Sequence, residues 1–148
     1  MEFKELVEAF AKRHGIADLV SEDDGISIDI DDIVVSVVAV GGEIAIAAEI
    51  GEPPVEGRAE FADAMLEAGM ESVAFFVKSA ETGKYMLMRR LSMLALDATA
   101  FDNAIESIVN MAEVWRKMLD DFRPAAKTTT ERAEGAAPSF GSIDFVQV

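Results

Sequence analysis

Residues 71–93 read ESVAFFVKSAETGKYMLMRRLSM, and the fold turns on how this stretch is taken. Two β-rich runs are joined by Ser79-Ala80-Glu81-Thr82-Gly83, a short polar connection ending in glycine, which is the signature of a hairpin. In the first run Val73, Phe75 and Val77 alternate with Ala74 and Phe76, so both faces are apolar and both need cover. The second run, residues 84–93, is interrupted by Arg89-Arg90, which gives each face one cation. Helical patterns stand before and after the hairpin, and either could cover one face. The other face needs a further layer or a second copy of the chain.

Upstream, residues 2–14 form an amphipathic helix, with Phe3, Leu6, Val7 and Phe10 at i, i+3, i+4 and i+7. Gly15 follows as a C-terminal cap, behind Lys12, Arg13 and His14, whose charges suit the last turn. His14 is the only histidine and has no ligand cluster around it, so it reads as a helix-end residue. Residues 16–24 connect to three strands. In the first, Ile26, Ile28 and Ile30 face one way and Ser27, Asp29 and Asp31 the other, the pattern of an antiparallel strand near a sheet edge. Residues 33–40 are β-branched on both faces and belong further inside. Gly41-Gly42 makes a two-residue turn into residues 43–50, and Gly51-Glu52-Pro53-Pro54 closes the meander.

Residues 59–68 form a short helix bearing Phe61, Ala62, Met65 and Leu66, with Gly69 as its stop. After the hairpin, residues 97–122 are the longest element. Phe101, Ile105, Ile108, Ala112, Trp115, Leu119 and Phe122 recur at helical spacing, and Thr99 to Asp102 has the spacing of a capping box. Val109, Met111, Val114 and Met118 widen that stripe beyond what one sheet needs, and Pro124 ends it. The expected architecture is α+β, in the order α-β-β-β-α-β-β-α, with one domain over residues 1–122. A linker follows over 123–138, then an apolar strand-like segment over 139–148 carrying Phe140, Ile143, Phe145, Val146 and Val148. About a dozen flexible residues reach ~20 Å, enough for that segment to dock on its own body as a strand-like plug.

The chain has 148 residues, a net charge of −15 and a pI near 4.3, which argues against nucleic acid as a partner. It has no cysteine, hence no disulfide, thiolate site or thiol nucleophile. No run of ~18 apolar residues exists to insert in a membrane, and the start lacks the pattern of a signal peptide. A cytoplasmic protein is expected. There is no Gly-rich phosphate loop and no serine in a nucleophile elbow. Asp29, Asp31 and Asp32 lack the glycine and distal glutamate of a calcium loop. Neither an enzyme nor a cofactor is expected. Seven of the eight methionines, all but Met1, cluster around the second helix, the hairpin and the long helix, suiting either an adaptable apolar surface or core filling.

Taken together, FKELVEAFAKRHGI, GISIDIDDIVVSVVAV, EIAIAAEIGEPP, FADAMLEAGM, the hairpin and LDATAFDNAIESIVNMAEVWRKMLDDF resemble, in order and patterning, the class I type III secretion chaperones of the Tir-chaperone (CesT-like) family. The resemblance spans residues 2–122. It implies a twisted antiparallel five-stranded sheet with helices, a homodimer, and ATP-independent binding of the extended N-terminal segment of a secreted effector protein. It also implies a dimer interface on the second helix and the strand after it, here Phe61, Met65, Leu66, Val73, Phe75 and Val77. Cargo would bind in grooves of the first helix with the sheet, here Phe3, Val7, Phe10, Ile26, Ile28, Ile30 and Val35. Two other readings share such a fold: a YbjN-like regulatory dimer that binds a folded partner, and a dimer enclosing a small molecule.

Overall fold

The computed structural model describes residues 2–16, 21–22 and 25–124. The expected linker beyond Pro124 and the terminal segment 139–148 lie outside the described residues. Helix α1 (Phe3–His14) opens with a reciprocal cap, in which the Glu2 backbone N–H donates to the Glu5 carboxylate at 2.9 Å. It closes at Gly15, whose left-handed backbone (φ 66°) lets its N–H reach the last carbonyls.

The sheet has the order β1-β2-β3-β4-β6-β5 and is antiparallel throughout: β1 (Ser21–Glu22), β2 (Gly25–Ile30), β3 (Ile33–Val40), β4 (Glu43–Gly51), β5 (Phe75–Lys78) and β6 (Tyr85–Ser92). Five strands correspond to those expected. The two-residue β1 falls in what reads as connection, and pairs with β2 through Ser21–Ile26 and Glu22–Gly25. Asp31 and Asp32 form the β2–β3 turn in left-handed conformation (φ 52° and 69°), where the alternation alone would leave Asp31 in the strand. Aspartate tolerates this region better than most side chains. Gly41-Gly42 turns as read.

One face of the sheet is dry. The cross-strand row Ile28–Val35–Ala48–Leu87–Phe76 and the row Ile26–Val37–Ile46 lie beneath helix α3 (Ala98–Asp121). Val35, Val37, Ile44, Ile46, Ala48 and Leu87 are inaccessible to solvent, as are Phe101 and Ala112 of the helix. Asp97 caps α3 by accepting the Ala100 N–H at 2.8 Å, so the Thr99–Asp102 spacing is not the cap. Asp102 is left to reach across to α1. Its carboxylate accepts from Arg13 at 2.9 Å and meets His14 Nε2 at 2.6 Å.

Helix α2 (Arg58–Ala68) packs at the other end of α3. Phe61 stacks on Tyr85 (centroids 6.0 Å apart) and meets Trp115 and Phe122 edge-on, while Phe76 of β5 meets Trp115 at 5.0 Å. Helix α2 ends at Ala68 with Gly69 as its cap, as read, but Gly69 is not left-handed. It stays right-handed (φ −63°) and leads into a 3₁₀ turn over Gly69–Glu71. The opening strand of the hairpin differs most from its reading. It is four residues long and lies at the sheet edge, with Val73 outside it. The second face of β3 is likewise uncovered, with Val38 40% and Val40 61% exposed.

The joints at Gly57 and Asp102 both bear on stability. Gly57 has φ 75°, and a Cβ there would sit 2.7 Å from Pro124 Cβ and 2.8 Å from the Phe122 ring. Gly57→Ala should therefore lower the unfolding free energy by about 1–3 kcal/mol, read as a lower urea midpoint at unchanged slope. For Asp102, partial burial acts upward, but the hydrogen bonds and charges of His14 and Arg13 outweigh it and hold the carboxyl below its ordinary value. A depressed carboxyl stabilises the fold above its unfolded pKa, and that contribution is lost as pH falls through the folded value. Asp102→Asn should cost about 0.5–1 kcal/mol near neutral pH, and the gap to the parent should narrow as pH falls below the ordinary aspartate range in urea melts run against pH.

Candidate functional site: an open sheet face, an apolar edge and a groove

The pleat sends alternate residues of each strand to the side away from α3. Across that side run the rows Ser27–Ser36–Ala47–Met88–Phe75 and Val38–Ala45–Arg90, with Glu49–Met86–Val77 beside them. No described helix covers this face, yet its middle is apolar. Charge is confined to its margins, where Glu49 pairs with Lys84 at 3.4 Å and Glu43 with Arg90 at 2.8 Å.

The face continues around the β5 edge. Phe75 is 40% exposed, and Leu66, Met70 and Val73 are each about two-thirds exposed or more. Beyond them Ser72 Oγ contacts Met111 Sδ at 3.6 Å, which brings the edge to the outer stripe of α3, where Val114 and Met118 are also exposed. The residues expected at an interface between copies therefore divide. Leu66, Val73 and Phe75 lie open on this edge, and Val77 is half-buried. Phe61 and Met65 are buried in the chain's own core, because α2 turns that side toward Tyr85 and Trp115.

The residues expected to hold cargo divide in a similar way. Phe3, Val7, Ile26, Ile28 and Val35 are buried against one another and α3, so they offer no surface. Phe10 and Ile30 line a groove of about 450 Å³, open to solvent, where the end of α1, the end of β2 and the first half of α3 meet. Its floor is completed by Ile16, Ile105 and Val109, and its rim by His14, Asp29, Asp31, Asp102, Glu106 and Asn110. The α3 members recur as Asp102, Ile105, Glu106, Val109 and Asn110, the spacing of a second helix face. That periodicity is present in the sequence, but there it reads only as a widened core stripe.

His14 belongs to the α1–α3 tie, not to a reaction centre. Among the described residues no group of histidine, aspartate and glutamate could hold a metal ion, and no helix is long and apolar enough to cross a membrane.

The fold has counterparts of known structure. The ExsC–ExsE complex superposes with a TM-score of 0.68 at 19% identity, covering 78% of this chain and 91% of the other. The Yersinia pestis type III secretion chaperone SycH, solved with a stable fragment of YscM2, superposes at 0.62 with 18% identity, covering 77% and 99%. YbjN, a putative transcription regulator from E. coli, superposes at 0.59 with 12% identity, covering 78% and 90%. At such identities the likeness is one of fold. No curated protein matches at the level of sequence. The sequence itself matches the Tir chaperone protein (CesT) family over residues 5–116, from the first turn of α1 to the last third of α3, and the chain belongs to that family.

Proposed function

We propose that this protein is a cytoplasmic, ATP-independent export chaperone that works as a homodimer. Its cargo would be the non-globular N-terminal region of a type III secreted effector, kept competent for export. The observation that carries the reading is the apolar surface left uncovered on a chain of this family: the open sheet face, the β5 edge and the groove holding Phe10 and Ile30. Contiguous apolar surface of this kind marks a site for protein contact.

In this reading the β5 edge, with Leu66, Met70, Val73 and Phe75, meets a second copy. The groove and the open face remain for an extended chain, which satisfies its backbone by strand pairing and its side chains by apolar pockets. The SycH structure of similar fold pairs a type III secretion chaperone with a fragment of YscM2, which supports the proposal. The likeness to YbjN supports a second reading, a regulatory dimer acting on a folded partner. A small-molecule dimer gains no comparable support, since the hollows among the described residues open to solvent.

Sedimentation should find a dimer. Leu66→Asp and Val73→Asp should each shift it to monomer, because a charge placed in a desolvated contact costs several kcal/mol. A dimer that persists in both variants rejects the β5 edge as the interface. Proteins co-purified from the secreting bacterium should include an effector whose N-terminal region is protected from hydrogen exchange only over extended segments, with affinity unchanged by ATP and magnesium. Protection across a whole folded domain of the partner would favour the regulatory reading.

A further inference from the structure

The groove between α1, β2 and α3 has a feature beyond its shape. Its rim is acidic and largely uncompensated. Asp102 is paired with Arg13 and in contact with His14, whereas none of the ion pairs among the described residues involves Asp31 or Glu106, both exposed. The stretch that joins the α1 wall to the β2–β3 turn, residues 17–32, contains Asp18, Glu22, Asp23, Asp24, Asp29, Asp31 and Asp32 and no lysine, arginine or histidine. Close to half of the net charge of −15 thus falls in one short stretch of sequence, of which Asp29 and Asp31 line the groove. The open sheet face is different, since its marginal carboxylates Glu43 and Glu49 are paired with Arg90 and Lys84.

An apolar floor beneath single-sign walls focuses the field and selects for opposite charge. Resting on the chaperone reading, we propose that this groove is selective for a cargo segment in which apolar anchor residues are flanked by lysine or arginine, with Asp31 and Glu106 as the selecting residues. The anchor sits on Ile16 and Ile30, the half-buried members of the floor, and the flanking cations face the rim. The Arg13–Asp102–His14 tie keeps α1 and α3 together at one end while leaving the other carboxylates to the ligand. The surface around the open sheet face would not discriminate in this way.

The test uses the whole protein and two short fluorescent peptides with identical leucine and phenylalanine anchors, one flanked by lysines and its twin by glutamates. Affinities are measured by anisotropy from ~0.05 to ~0.5 M salt, a range over which screening shortens from well beyond the groove to within it. The lysine peptide should bind at least about tenfold more tightly at low salt, with the advantage fading as salt rises. The double variant Asp31→Asn with Glu106→Gln should lose most of that advantage; asparagine keeps the left-handed turn at residue 31 (φ 52°). A control, Glu81→Gln with Glu113→Gln, removes the same charge from exposed positions outside the groove and should keep it. Ile30→Ser should weaken the lysine peptide at every salt concentration.

Equal binding of the two peptides, tighter binding of the glutamate peptide, or no binding of either overturns the proposal. So does an equal loss in the control variant, which would make the effect one of bulk charge. Charge selection can fail in this way while effector capture succeeds, so the two readings fail separately.

Discussion

Everything in this fold depends on one helix lying on one face of the sheet. Helix α3 sets Phe101, Ile105, Ile108, Ala112 and Trp115 against Ile44, Ile46, Ala48 and Leu87, and these side chains are essentially inaccessible to water. Each large aliphatic or aromatic side chain so buried contributes roughly 1.5–3 kcal/mol. The two other helices are attached to that seam. Helix α1 joins through Phe10, edge-on to Phe101 at 5.9 Å, and through the Asp102 tie. Helix α2 joins through Phe61 against Trp115 and Phe122. With all three helices engaged on one side, none remains for the other. The apolar middle of the far face follows from this arithmetic of layers.

Much of that was legible in the sequence. Helix α1 could be read to within a residue, because its apolar spacing, Gly15 and the terminal cations agree with one another. The turn at Gly41-Gly42, the meander and the span of α3 were equally plain. Misreadings arose where a local pattern fits two environments. Phe75, Phe76 and Val77 suit a central strand covered on both sides, but also an edge strand whose outer side awaits a partner, and periodicity is the same in both. Asp97 and Thr99 both suit a cap, and the choice is made by which carboxylate is needed elsewhere, here Asp102 by Arg13 and His14.

The candidate site was legible in outline and not in its members. A helical stripe tells that Phe3, Val7 and Phe10 face inward, but not whether inward means core or groove. Phe10 reaches the groove because it lies near the end of α1, where the helix no longer covers the neighbouring turn of α3. Ile30 does so because it is the last residue before the Asp31-Asp32 turn. Among the interface residues, α2 turns Phe61 and Met65 inward and leaves Leu66 outside, a difference of helical phase that needs the position of Tyr85 to resolve.

The aromatic junction has a practical consequence. The chain has one tryptophan, and Trp115 lies 8% exposed between Phe61 of α2 and Phe76 of the edge strand β5. Its indole is therefore a native optical gauge placed directly behind the edge that carries Phe75. Displacement of β5 or α2 alters the packing of that ring, and its emission reports the change without a label.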